Sequence, residues 1–206
     1  MNSLFQLIAR HRVLASTIFL AIFPFIIPYE ALAINILIFG LFAMGFNLLF
    51  GYMGLLSFGH AAFLGIGSYL TGIGIVHFGL PWGAAILAGI VGAAVGGLIM
   101  GFLAIRTRGI YFSMVTLALG QIVYYIFYKA ESLTGGENGL RGVRVDPFNI
   151  LGIPVDFLNP MVKYFIILFF VVIAIWLISR ILNSPLGAVM EAIRENEKRA
   201  AACGFD

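Results

Sequence analysis

Four residues in a mostly apolar chain, Asn47, Ser57, His60 and Gln121, carry side chains that can both donate and accept hydrogen bonds. Ser57 and His60 stand three apart, a spacing that puts both on one helix face. Such a pair could act as nucleophile and base of an intramembrane serine hydrolase. The serine, however, lacks a G-x-S-x-G elbow, and no acid is placed to orient the histidine. A hydrolase is therefore poorly supported, and the four residues stand as candidates for lining a translocation pathway. For His60 the competing reading is a buried, hydrogen-bonded structural histidine, since one His without an acidic partner is weak evidence for a proton relay. His77, near a membrane end, reads as an interface residue. The other polar residues of the apolar stretches, Asn35, Ser68, Thr71, Ser113 and Thr116, are accounted for by hydrogen bonds between helices, at about 0.6 kcal/mol each.

No Asp, Glu, Lys or Arg stands near the middle of an apolar stretch. Ion- and proton-coupled transporters place such costly groups in the membrane, so the chain lacks their signature. It also lacks GxxxxGK[ST], and so has no P-loop for ATP. No cofactor is expected in this chain, no metal site and no catalytic residue. Energy for uphill transport would come from another polypeptide. The glycine-rich stretch from Thr134 to Gly142 has no P-loop lysine and reads first as a cluster of turns, with Asn138-Gly139 a tight one. The one cysteine, Cys203, cannot form an internal disulfide and reads as a small residue on a helix face.

These residues need a scaffold, and composition says which kind. Hydrophobic residues are 62% of the chain and charged residues 10%, against about a quarter charged in a soluble domain. A crossing helix needs about 20 apolar residues. Residues 13–28, 31–50, 82–105, 110–128 and 162–182 fit or nearly fit, and residues 55–78 are apolar but interrupted by glycine. The last of these reads as a full span or a re-entrant, broken helix, which is tolerated at membrane depth only inside protein or along a cavity. The expectation is an all-α polytopic membrane protein with about six segments, one of them broken, and a cytoplasmic coupling helix after the last. With the N-terminus inside, Arg10, Arg12, Arg106, Arg108, Arg180, Arg194, Lys198 and Arg199 fall on the cytoplasmic side, and Lys129, Arg141, Arg144 and Lys163 outside. Arg10-His11-Arg12, an apolar run and Ala31-Leu32-Ala33 imitate a signal peptide. The apolar run resumes at Ile34, which favours an uncleaved first span.

Gly92/Gly96 and Gly97/Gly101 have small-xxx-small spacing, a signal for close helix packing and for a partner chain. Residues 129–160 form the longest polar connection, read as a periplasmic loop. Residues 184–206 form a charged segment in which Ser184-Pro185 reads as a capped helix start. Leu186, Val189, Met190 and Ile193 make an apolar stripe there. Glu195 and Arg199 are spaced for an i,i+4 pair, and Gly204 for a C-terminal cap. The segment is a docking handle for a partner or an amphipathic helix on lipid headgroups, and its mixed charge favours the first.

Three segments resemble the permease subunits of branched-chain amino acid ABC importers, the LivM type. The first runs from Asn47-Leu48-Leu49-Phe50-Gly51-Tyr52 through Ser57-Phe58-Gly59-His60-Ala61 to Gly67-Ser68-Tyr69. The second is Arg106-Thr107-Arg108-Gly109-Ile110-Tyr111-Phe112 with Thr116-Leu117-Ala118, then Thr134-Gly135-Gly136 and Asn138-Gly139-Leu140. The third is Ala192-Ile193-Arg194-Glu195-Asn196-Glu197 with Ala200 and Gly204. The resemblance implies one permease domain over residues 1–206 in a bacterial inner membrane. It implies a second homologous permease, two cytoplasmic ATP-binding subunits and a periplasmic protein delivering leucine, isoleucine or valine. It puts Ala192, Arg194, Glu195, Glu197, Ala200 and Gly204 at or near the ATPase contact. Such permeases normally continue past this segment into further helices, so the chain is expected to be a fragment or a truncated product. Similar frameworks move urea or short amides, and a channel working without ATP is the alternative from another class.

Overall fold

The computed structural model describes residues 12–26, 29–144, 148–150, 153–155 and 159–204, and the side chains of all of these except 12–15, 148–150, 153–155, 197 and 198. Arg10 and His11 of the basic N-terminus, and Asp146 and Asp156 of the outer connection, lie outside the described residues. In chain order the elements are α1 (Arg12–Ile26), α2 (Glu30–Asn47) running into a π turn (Leu48–Tyr52), α3 (His60–Val76), α4 (Trp82–Ala104), α5 (Ile110–Lys129), the one-turn α6 (Glu131–Thr134), a 3-10 turn (Gly136–Asn138), β1 (Phe148–Ile150), β2 (Ile153–Val155), α7 (Pro160–Leu182) and α8 (Pro185–Ala202). Four stretches are long and apolar enough to cross a membrane: Glu30–Tyr52, Trp82–Ala104, Ile110–Lys129 and Pro160–Leu182. Only 11–17% of each is buried inside the protein. Their apolar surface therefore faces outward, as lipid requires and water does not tolerate. Ser16–Ile26 and His60–Val76 are apolar but shorter, so the described residues give four full-length spans where the sequence suggests six.

The chain divides into two compact units, Met1–Leu48 with Pro147–Asp206, and Leu49–Asp146. In the first, Ala33 and Leu37 of α2 meet Tyr164, Leu168 and Val171 of α7, at the three- and four-residue spacings that share one helix face. α7 begins on a side-chain cap, with Asn159 Oδ1 accepting from the Met161 N–H at 3.0 Å and Pro160 in the first turn. Pro24 lies inside α1, where it removes the N–H that would bond the carbonyl of Leu20. The hydroxyl of Tyr164, a residue only 1% exposed, donates to that carbonyl at 2.6 Å. The proline is thus tolerated because α7 replaces the bond that α1 lost. β1 and β2 pair antiparallel, Phe148 opposite Val155 and Ile150 opposite Ile153, a short hairpin in an otherwise helical chain.

The second unit is held by close packing of α3 on α4 and of α3 on α5. A Cβ on Gly89 would meet Thr71 Oγ1 and lie 2.6 Å from the Gly67 carbonyl oxygen. One on Gly92 would meet Leu70, and one on Gly96 would sit 2.6 Å from Ile66 Cδ1. The α4 face that approaches α3 therefore runs through Gly89, Gly92 and Gly96. A Cβ on Gly97 would make only an ordinary contact with Phe63, at 3.7 Å, and one on Gly101 would meet nothing of another element within 4 Å. At 3.6 residues per turn each step rotates the helix by about 100°, which sets Gly97 at the edge of the stripe that faces α3 and Gly101 off it.

Candidate translocation site and docking helix

Between the π turn and α3 the backbone of residues 54–59 is not helical, and α5 supplies its missing partners. Ser113 Oγ donates to the Leu56 carbonyl at 2.7 Å. The Phe58 N–H donates to Thr116 Oγ1 at 3.2 Å, and that hydroxyl donates to the Ser113 carbonyl at 2.9 Å. Unwound backbone in an apolar setting survives only when such partners exist. The two elements also touch main chain to main chain, since a Cβ on Gly59 would strike the Thr116 carbonyl and one on Gly120 would sit 3.2 Å from Gly59 Cα. The interrupted segment is thus a broken entry to α3, fastened to α5. Ser68 and Thr71, by contrast, bond back within α3, to the Gly65 and Gly67 carbonyls, and not across to another helix.

Above that contact α3 and α5 diverge around a cavity of about 520 Å³. Phe58, Gly59, Gly65 and Tyr69 line one side, and Gly120, Gln121, Tyr124 and Phe127 the other. The rings of Tyr69 and Phe127 stack at 4.9 Å and 12°. Gly136, Glu137 and Gly139 close one end. This turn is built from its own residues. Thr134, fully buried, directs its hydroxyl at the Phe127 and Ala130 carbonyls, at 2.5 and 2.9 Å, and accepts from the Gly136 N–H at 3.2 Å. Gly135 has φ +76° and Gly139 φ +67°, conformations open to glycine at no steric cost. The loop folds back on α3, with Leu140 packed over Gly72 and His77 Nε2 3.0 Å from the Leu133 carbonyl oxygen.

Of the four residues proposed to line a pathway, Gln121 reaches the cavity. Ser57 is buried in the non-helical entry, and His60 opens α3 with its ring edge-on to Phe63 at 5.5 Å and its Nδ1 buried. Asn47 ends α2 in the other unit and is exposed. Tyr69, Phe127, Thr134 and Glu137 went unremarked as site residues in the sequence. A lining aromatic looks the same in composition as a lipid-facing one, and Thr134 and Glu137 sat in what read as a turn cluster. Among the described residues no three His, Cys, Asp or Glu side chains gather as a metal site.

α8 departs from the continuous capped helix that the sequence suggests. Ser184 precedes it, but its hydroxyl donates back to the Ile181 carbonyl at 2.6 Å instead of capping α8. At Asn196 the backbone turns extended, φ −164° and ψ 101°. Asn196 Oδ1 then accepts from the Arg199 N–H at 3.1 Å, the geometry of a helix cap three residues ahead. The last turns are therefore a second helical piece, and the i,i+4 spacing of Glu195 and Arg199 produces no ion pair across the break. A shallow depression is lined by Ala192, Glu195, Asn196, Arg199, Ala200 and Cys203. Arg194 is exposed, the Glu197 side chain lies outside the described residues, and Gly204 follows the end of α8 with φ +91°.

Long apolar helices with outward-facing apolar surface and an interrupted helix backed by a neighbour mark a multi-pass membrane protein. The model of the branched-chain amino acid transport system / permease component family matches residues 29–206, and the chain belongs to that family. It is 33% identical over 189 residues to the high-affinity branched-chain amino acid transport system permease protein LivM of Salmonella typhimurium, covering 82% of this chain and 44% of that protein. It is 31% identical to the LivM of Escherichia coli, with the same coverage. A probable LivM of Methanocaldococcus jannaschii is 26% identical over 86% of this chain and 60% of its own length. The chain thus spans about half the length of these curated relatives. No solved structure matches it.

Proposed function

We propose that the chain is the membrane-spanning permease subunit of an ATP-driven, binding-protein-dependent importer of leucine, isoleucine and valine, residing in a bacterial inner membrane. The observation that carries this reading is the family match over residues 29–206. The sequence has no P-loop, which agrees with a separate motor, and the resemblance to branched-chain amino acid importers implies two cytoplasmic ATP-binding subunits, a second homologous permease and a periplasmic binding protein as partners. The N-terminus is cytoplasmic and six segments cross. The 17 residues of α3 span about 26 Å at 1.5 Å per residue, and the preceding non-helical stretch supplies the remainder of a roughly 30 Å core. Asn47, Ser57, His60 and Gln121 serve the pathway. Ala192, Arg194, Glu195, Glu197, Ala200 and Gly204 serve ATPase docking. Residues 129–160 face the periplasm.

The test is uptake of radiolabelled leucine into proteoliposomes holding the complete permease pair, its ATPase and binding protein. Uptake is expected to require both ATP and the binding protein. Leucine flux without ATPase would instead establish a channel. Urea or acetamide uptake that leucine does not compete would establish the amide-importing reading.

A further inference from the structure

The turn that closes the α3–α5 cavity brings one carboxylate, Glu137, to walls that are otherwise aliphatic, aromatic or amide. Its position is set by backbone. Thr134 ties the turn to the end of α5, and a Cβ on Gly135 would strike the Gly139 carbonyl, while one on Gly136 would lie 2.7 Å from Glu131 Cγ. Glu137 makes no ion pair or side-chain hydrogen bond with another described residue, so its charge is available to a ligand. The stacked Tyr69–Phe127 pair offers an apolar wall of low conformational freedom. Gln121 offers both a donor and an acceptor. The volume, about 520 Å³, falls in the range of small-molecule sites.

We propose that this cavity is a subsite for the translocated amino acid, resting on the permease reading above. Glu137 receives the α-ammonium, the Tyr69–Phe127 wall packs the branched side chain, and Gln121 is the group left to the α-carboxylate. A lipid chain would fill the aromatic part but has no use for the carboxylate, which also repels anionic headgroups. A cation with a short apolar body uses both. Glu137 is exposed to solvent, so a ligand lacking the ammonium is disfavoured by losing that attraction and by bringing a net negative charge towards the carboxylate.

The experiment uses the complete permease complex, containing the full-length chain, in nanodiscs. Its probes are radiolabelled leucine and 4-methylpentanoate, which is leucine without its ammonium. Wild type is expected to bind leucine and to discriminate against the acid. Glu137→Gln should weaken leucine binding about tenfold, the effect of roughly 1.4 kcal/mol, and bring the two affinities towards each other. Glu131→Gln removes the same charge from the same connection without touching the cavity and should change neither. Tyr69→Ala should weaken both ligands in parallel. Leucine binding by Glu137→Gln equal to wild type, or a loss of both ligands in equal proportion, overturns the subsite while leaving transport of leucine by wild type intact. A wild-type complex that neither binds nor takes up leucine overturns the permease reading, and the subsite with it.

Discussion

Pro24, Leu20 and Tyr164 show how a defect can be visible in the sequence while its remedy is not. A proline within an apolar helix signals a freed carbonyl four residues earlier, and that much is visible in the sequence. Its replacement donor comes from a residue 144 positions away, so no local pattern announces it. Tyr164→Phe should leave the Leu20 carbonyl unsatisfied and lower stability by about 1–2 kcal/mol. In a Pro24→Ala background, where the substitution returns an N–H to that carbonyl, the same change should cost under about 0.5 kcal/mol. Unfolding of wild type, the two single variants and the double variant in detergent measures the coupling. Equal costs in both backgrounds would show that the hydroxyl does not serve the carbonyl. Ser113 and Thr116 teach the same lesson. As residue types they signal hydrogen bonding in an apolar helix, but only the fold shows that they serve the interrupted backbone of residues 54–59.

At the scale of elements, spacing located the glycine-rich helix and offered two glycine pairs, of which Gly92/Gly96 packs on α3 and Gly97/Gly101 does not pack closely. Gly89→Ala should destabilise by about 1–3 kcal/mol through overpacking, since a backbone oxygen and Thr71 stand in the way. Gly101→Ala meets nothing within 4 Å and should stabilise by about 1 kcal/mol from helix propensity alone. Thermal melts of the two variants should therefore shift in opposite directions, and shifts of the same sign would refute the packed face. In α8 an apolar stripe predicted one helix, yet Asn196 takes the capping bond to the Arg199 N–H and divides it. Asparagine competes with the helical backbone in this way whenever its side chain finds a nearby N–H. On the docking proposal, exchanging charges with Arg194→Glu and Glu195→Arg in the full-length protein should cut ATPase recovery in pull-downs several-fold. Undiminished recovery would remove these residues from the interface.

For the molecule as a whole, orientation is the accessible question, and Cys203 answers it as the only cysteine of the chain and an exposed one. With the N-terminus and α8 cytoplasmic, a membrane-impermeant maleimide should label it in inside-out vesicles and leave it unlabelled in intact cells. Labelling from the cell exterior would invert the topology. ATPase added to the vesicles should slow the reaction, because Cys203 borders the depression shared with Ala192 and Asn196.

The membrane class, the approximate positions of the apolar helices and the family were already determined by the sequence. These follow from composition, from run length and from motifs that are contiguous in the chain. The tertiary structure decided what depends on distant residues meeting: which glycines face α3, which hydroxyls satisfy unwound backbone, and which of the pathway candidates reaches a cavity. It also gathered Tyr69, Phe127 and Glu137 around one space. In a chain where lipid and protein interior are equally apolar, hydrophobic pattern cannot tell a lining face from an outer one, and only packing separates them.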